Sequence, residues 1–212
     1  MTRHPLFPYQ LYLVISEESC TKLNYLAVAE EAIRGGVDII QFREKNIDTA
    51  TYFKKAMSLK AITDKYNIPL IINDNLTVAM RVGAFGIHVG RNDVSPIVVR
   101  EKWHSCRSLG YSIEYLTQLL NEEASAADYF GVSPVFNTKT KKNTVTEWGI
   151  EGLRKIRKLT EKPLIAIGNM HLENVSSVMK AGADCIAVVS AICTSDDPRQ
   201  AAIELKTKIL TS

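Results

Sequence analysis

The chain has 212 residues, 46% of them hydrophobic and 23% charged, with a formal net charge of +3 at pH 7. This composition is ordinary for a globular protein and allows one domain, 1–212, with one sizeable core. So small a charge gives no ground for nucleic acid or a membrane surface as partner, and no apolar run approaches the length of a transmembrane helix. Cys20, Cys106, Cys185 and Cys193 are scattered without metal-ligand spacing. That argues against a zinc site or a disulfide framework and for a reducing, cytoplasmic setting. The segment Met1 to Pro5 contains no apolar h-region, so no signal peptide is expected. A homo-oligomer is neither required nor excluded.

From the N-terminus, short apolar runs rich in β-branched residues alternate with longer amphipathic segments. A strand at about 10–16 precedes a helix near 24–35. Strand 38–43 precedes helix 48–66, strand 69–73 precedes helix 76–82, and strand 85–89 precedes helix 95–106. Strand 108–112 precedes helix 113–126. Strand 129–132 leads into a polar, lysine-rich stretch, 133–149, and then helix 150–159. Strand 163–167 precedes helix 172–181, and strand 185–189 precedes helix 198–210. Continuous apolar strands fit a parallel sheet buried on both faces. Eight alternations predict an α/β fold, a single (β/α)8 TIM barrel, with tight loops. An internal echo supports the unit: Gly35-Gly36-Val37-Asp38, Gly83-Ala84-Phe85-Gly86 and Ala181-Gly182-Ala183-Asp184 each stand between a helix and a strand. Glycine there supplies a left-handed helix C-cap.

Barrel enzymes build their sites from the loops after each strand. Gln41, Arg43 and Lys45 follow the second strand on one face, because strand side chains alternate. Asn73 and Asp74 follow the third, and Asp93 the fourth. Ser112 ends the fifth, and Thr138, Thr140 and Lys141 follow the sixth. Gly168 ends the seventh; Val189 and Ser190 end the eighth. Cations beside two carboxylates at neighbouring strand ends suit a Mg²⁺-diphosphate. Each residue also has a plainer role. Arg43 with Glu44, or Lys45 with Asp48, would make surface ion pairs. Asp74 and Asp93 would cap a helix or a turn. The lysines around Lys141 would form a solvated face, and His88 would be a satisfied barrel-wall histidine. Trp148 would pack on the helix that follows it. Their gathering at one end of the barrel is what those roles leave unexplained. The stretch 133–149 is a candidate lid or substrate clamp.

In this order the residues resemble thiamine-phosphate synthase over nearly the whole chain. The carriers are Gln41-Phe-Arg-Glu-Lys45, Ile71-Ile-Asn-Asp74, Gly86-Ile-His-Val-Gly90 with Asp93, Thr138-Lys-Thr-Lys141, Ile167-Gly168 and Val189-Ser-Ala-Ile192. That family joins 4-amino-5-hydroxymethyl-2-methylpyrimidine diphosphate to a thiazole phosphate and releases diphosphate. The resemblance implies that Gln41, Phe42, Arg43, Glu44, Lys45 and Asn73 hold the pyrimidine diphosphate, with Ser112 at the pyrimidine. It implies that Arg43, Lys45, Lys141 and Ser112 act in the chemical step and that Asp74 and Asp93 ligate Mg²⁺. Thr138, Lys139, Thr140, Lys141, Gly168, Val189 and Ser190 complete the implied binding set, the thiazole phosphate lying between Thr138–Thr140, Gly168, Val189 and Ser190. Four departures stand out: Asn169 where the pattern has a second Gly, Ser133 for Gly, Asn137 for Pro, and Ile113-Glu114 for Thr-His.

A related thiazole tautomerase would place a catalytic histidine at position 133 and lack the paired aspartates; Ser133, Asp74 and Asp93 argue against it. A non-catalytic sensor of thiamine phosphates would need no activation of a leaving group. A generic phosphate-binding isomerase would not explain Arg43 and Lys45 facing Asp74 and Asp93.

Overall fold

A computed structural model describes residues 3–138 and 146–212. Among them, eight strands pair in parallel, each with the next and the last with the first, into a closed barrel. They are β1 (Leu11–Ile15), β2 (Ile39–Phe42), β3 (Leu70–Asn73), β4 (Gly86–Val89), β5 (Ser108–Ile113), β6 (Tyr129–Val132), β7 (Leu164–Ile167) and β8 (Cys185–Val188). Every residue of β1, β2, β3, β6 and β8 is buried. Such strands need cover on both faces, which is why the runs are apolar without alternation. The outer cover is α1 (Tyr25–Arg34), α2 (Thr49–Lys65), α3 (Leu76–Val82), α4 (Pro96–Lys102), α5 (Glu122–Ala126), α6 (Gly149–Leu159), α7 (Val175–Lys180), α8 (Ser190–Cys193) and α9 (Pro198–Leu210). The core has two parts. One lies between strands and helices and includes Leu11, Leu13, Ile40, Phe42 and Ile72. The other fills the barrel interior with Tyr12, Val14, Ile39, Ile71, Tyr129 and Ile165. Phe7 plugs the bottom of the interior, its ring 4.8 Å from that of Tyr129.

The echo before the strands has two physical causes. In α1 and α7 the helix closes in a Schellman turn: Gly36 (φ 100°) and Gly182 (φ 110°) take the positive φ, and Val37 and Ala183 donate back to Ala32 and Val178. Asn67 (φ 55°) serves α2 in the same way, with Ile68 donating to Thr63. The aspartate that follows is a clamp. Asp38 accepts from the backbone N–H of Gln10 and Leu11, both at 2.9 Å, and pairs with Lys206. Asp128 accepts from Leu109 at 2.7 Å and pairs with Arg100 at 2.6 Å. Asp184 accepts from Leu164 at 2.8 Å and pairs with Arg157 at 2.9 Å. Each ties the start of the preceding strand to a helix at the bottom of the barrel.

Three helices differ from the sequence-based expectation. The segment 113–126 is not one helix: β5 runs on to Ile113, a 3₁₀ turn covers Leu116–Leu120, and α5 starts afresh at Glu122. The Gln118 side chain takes the Glu114 and Tyr115 N–H groups at 2.7 and 2.9 Å, and Asn121 caps α5 through Ala124 N. These side-chain bonds replace a continuous helical ladder. Helix α4 ends at Lys102, because Trp103 leaves helical geometry (φ −132°, ψ 75°) and is buried. Helix α7 begins at Val175, since the Asn174 side chain holds both His171 N (2.9 Å) and Asn169 O (2.8 Å). The short α8 went unread in the sequence; at Ser190–Cys193 it is too brief to show a period.

Candidate active site

The mouth of the barrel holds a pocket lined by residues from every strand end, among them Gln41, Arg43, Lys45, Asn73, Asp74, Asp93, Ser112, Thr138, Gly168, Val189 and Ser190. Alternation along the second strand sorts the contiguous motif. Gln41, Arg43 and Lys45 point into the mouth. Phe42 and Glu44 do not line it, contrary to the binding roles the resemblance implied for them. Phe42 is fully buried behind the barrel, stacked on Tyr25 with ring centroids 5.4 Å apart. Glu44 accepts from the Glu17 N–H at 2.8 Å, and Lys55 lies 3.9 Å from it. Both residues hold the strand end and the loop after β1 in place. Tyr52 adds to this from α2, donating to Phe42 O at 2.7 Å and lying 3.2 Å from Asn73 O.

On the rim, Lys45 and Asp74 form an ion pair. Asp74 sits at φ 61°, a left-handed conformation that Asp tolerates, and it does not cap α3. Asn75 does, accepting from Val78 N at 2.9 Å. Asp93 Oδ2 accepts from Gly90 N at 2.8 Å, while α4 is capped by Ser95. The plainer capping role therefore holds only for the turn at Asp93. Burial, then the facing Asp74 carboxylate, push the Asp93 carboxyl above its usual range, and Lys45 only partly offsets this. Arg43 makes no ion pair with a described residue. The rim therefore carries two opposed carboxylates beside two cations. Among the described residues no three His, Cys, Asp or Glu side chains cluster as a metal cage.

Across the mouth, Ser112 is held from behind. Gln118 Nε2 donates to Ser112 O at 3.3 Å and to Tyr111 Oη at 3.0 Å, and Trp148 Nε1 donates to Ile113 O at 3.2 Å. Trp148 also packs over Gly152 of α6, where a Cβ would stand 3.1 Å from it. The loop after β7 turns on Gly168 (φ 114°) and Asn169 (φ 51°). A Cβ at Gly168 would stand 2.6 Å from Pro134 Cβ and 2.9 Å from its Cα, so both the conformation and the close approach call for glycine. Lys139, Thr140 and Lys141 lie outside the described residues, as does the rest of 139–145, the middle of the candidate lid. The base of that loop is tied down: Val135 N donates to Ile167 O at 2.9 Å and Gly149 N to Val135 O at 2.8 Å.

The pocket also includes Tyr12, Ser16, Ser19, His88, Tyr129, Ser133 and Met170, none of them named as site residues from the sequence. Their signal was faint. Tyr12 and Tyr129 stand in apolar strands, where a phenol reads as core. His88 does sit in the barrel wall, with both ring nitrogens engaged.

A family model described as thiamine monophosphate synthase matches residues 11–192. The thiamine-phosphate synthase of Albidiferax ferrireducens is 41% identical over 93% of this chain and 90% of its own length. That of Chloroflexus aurantiacus is 38% identical over 93% and 91%. A solved structure, thiamine phosphate pyrophosphorylase from Pyrococcus furiosus, superposes with a TM-score of 0.86 at 32% identity, covering 96% of each chain.

Proposed function

The chain belongs to the thiamine monophosphate synthase family, and from that membership we propose how its barrel mouth makes thiamine phosphate. The enzyme is a transferase. In our reading the donor is 4-amino-5-hydroxymethyl-2-methylpyrimidine diphosphate and the acceptor is 4-methyl-5-(2-phosphooxyethyl)thiazole or its carboxylated form. The observation that carries the reading is the rim itself, where the Lys45–Asp74 pair faces Asp93 and Arg43 stands beside them with its charge uncommitted to any described residue.

The donor set suits Mg²⁺. Two hard carboxylates, with no third His, Cys, Asp or Glu clustered on them among the described residues, match a small cation that keeps waters and takes substrate phosphate oxygens. Asp74 and Asp93 would hold it, and a bound cation would offset the burial and the facing carboxylate that raise Asp93. When bound, Mg²⁺ supplies charge neutralisation on the departing diphosphate. Arg43 and Lys45, with Lys141, bind the same oxygens. The C–O bond of the pyrimidine methylene breaks, and its electron pair leaves on the diphosphate. The thiazole nitrogen then supplies the pair for the new C–N bond. With the plain thiazole no proton moves, so the site needs no general base; it needs anion stabilisation and alignment. The carboxylated form also loses its carboxylate as CO2, and water protonates the carbon left behind. Gln41 and Ser112 orient the pyrimidine, and Asn73 joins the cations on the diphosphate. Backbone around Gly168 and Ser190, with Thr138, holds the thiazole phosphate at the opposite strand ends.

The test is incubation with both substrates and Mg²⁺, following thiamine phosphate by mass spectrometry. Product should require all three components. Absence of product under those conditions would sink the proposed substrates.

A further inference from the structure

Beneath the rim the interior carries two phenols and an imidazole, Tyr12, Tyr129 and His88, that the chemistry above leaves unused. Gln41 Nε2 donates to the Tyr12 hydroxyl at 3.0 Å, and the Tyr12 and Tyr129 hydroxyls are 3.1 Å apart. The Tyr129 hydroxyl lies 3.2 Å from His88 Nδ1, and His88 Nε2 lies 2.9 Å from Ser112 Oγ. This chain crosses the barrel from β2 through β1, β6 and β4 to β5. Two glycines make room for it. A Cβ at Gly110 would stand 2.2 Å from the Tyr129 ring and 2.3 Å from His88 Nδ1; one at Gly131 would stand 2.8 Å from His88 Cε1.

Counting hydrogens gives the chain a direction. A phenol has one polar hydrogen, and so does a neutral imidazole. Burial pushes the Tyr12 and Tyr129 phenols up, so both keep theirs. With Gln41 donating to Tyr12 and the imidazole neutral, the arrangement that gives each hydrogen an acceptor sends the Tyr12 hydrogen to Tyr129 and the Tyr129 hydrogen to Nδ1. In that arrangement the imidazole hydrogen is on Nε2 and goes to Ser112 Oγ. Ser112 keeps its own hydroxyl hydrogen for the cavity. The Gln41 carbonyl oxygen, without a partner among the described residues, is an acceptor on the same cavity. Reversal would require every link, including the Gln41 amide, to turn together.

We propose that Tyr12, Tyr129 and His88 are positioning residues that set Gln41 as acceptor and Ser112 as donor, so that the pocket selects a heterocycle offering a donor to Gln41 and a ring acceptor to Ser112, as a 4-aminopyrimidine does. This rests on the pyrimidine lying in the inner pocket, as argued above. A 4-oxo ring in its place turns the donor into an acceptor facing the Gln41 carbonyl, and a site built to satisfy one pattern rejects the other.

The experiment compares kcat/KM for the 4-amino and 4-oxo pyrimidine diphosphates in the wild type, Tyr12→Phe and Cys185→Ala. Tyr12→Phe removes one hydroxyl and keeps the ring. Cys185→Ala loosens the same interior cluster without touching the chain. The wild type should prefer the amino form. Tyr12→Phe should narrow that preference by about tenfold, the worth of one hydrogen bond. Its KM for the thiazole phosphate should stay the same, and Cys185→Ala should keep the wild-type preference. An undiminished preference in Tyr12→Phe, or equal narrowing in Cys185→Ala, would overturn the proposal. Wild-type turnover of both forms without preference would overturn it while leaving the proposed substrates standing. Turnover of neither would remove the pyrimidine assignment and this proposal with it.

Discussion

At Asp74 the backbone and the carboxylate make separate demands. The residue holds φ 61°, where alanine would be strained, so an alanine variant mixes a backbone cost with the loss of a ligand. Asparagine tolerates that conformation and keeps the shape. Asp74→Asn and Asp93→Asn should each slow turnover about a hundredfold, some 3 kcal/mol of stabilisation of the departing diphosphate. Neither should melt earlier. The folded-state value of Asp93 lies above its unfolded one, so ionising it at neutral pH opposes folding, and a neutral amide removes that opposition. Rates and thermal melts on the same samples decide it: a large fall in melting temperature with near-normal turnover would make these carboxylates structural. Asn169, at φ 51°, poses the reverse case. Glycine adopts that conformation without strain and adds no side chain beside the phosphate loop. Asn169→Gly should lower KM for the thiazole phosphate a few-fold, within about 1 kcal/mol, and leave KM for the pyrimidine diphosphate unchanged. Titration of each substrate with the other saturating separates the two, and weaker thiazole binding would mean that the Asn169 side chain is itself a ligand.

The strand–helix units show why some elements were legible and others not. Strands buried on both faces write themselves as apolar runs, and β6 matches its sequence-based bounds, as do α3 and α9. The glycine-bearing echo before the strands was visible too, but only its glycine was understood. Its aspartate is a tertiary clamp whose partners, Gln10, Leu11 and Lys206 for Asp38, lie 27 to 168 residues away and leave no local trace. The break after β5 was hidden for a local reason: Gln118 is a good helix former until its amide is seen bridging Ser112 O, Glu114 N and Tyr115 N, three to six residues back. In the motif 41–45, alternation already put Gln41, Arg43 and Lys45 on one face in the sequence; the roles of Phe42 and Glu44 came from the resemblance alone, and neither lines the pocket. The clamp predicts a stability effect remote from chemistry. Asp38→Ala strips two backbone donors of a charged acceptor and leaves Lys206, itself largely buried, unpaired. It should destabilise the fold by about 2–3 kcal/mol in urea titration, with kcat unchanged. A change below about 0.5 kcal/mol would show that water or another group replaces the carboxylate.

For the whole molecule, one face of the barrel keeps it folded and the other does the work. The bottom is closed by Phe7 and stitched by Asp38, Asp128 and Asp184, each bonded to a strand and a helix. The top gathers opposed carboxylates, a cation without a described partner, and a left-handed turn at Asp74, features that cost stability and that the proposed mechanism uses for binding. Residue chemistry and parallel connectivity were enough to place Arg43, Lys45, Asp74 and Asp93 on one rim from the sequence. What they did not reveal was the interior beneath it, because phenols and a histidine inside a barrel look like core until their hydrogen bonds are traced. This separation bears on metal removal. If Mg²⁺ is held by two carboxylates and by substrate phosphate oxygens, it contributes to the complex and little to the free fold. Exhaustive chelation should therefore abolish turnover while leaving the melting curve of the substrate-free protein in place, and added Mg²⁺ should restore the rate in full. A lowered melting temperature on chelation would point to a structural metal instead, and undiminished turnover would remove the metal from the rim.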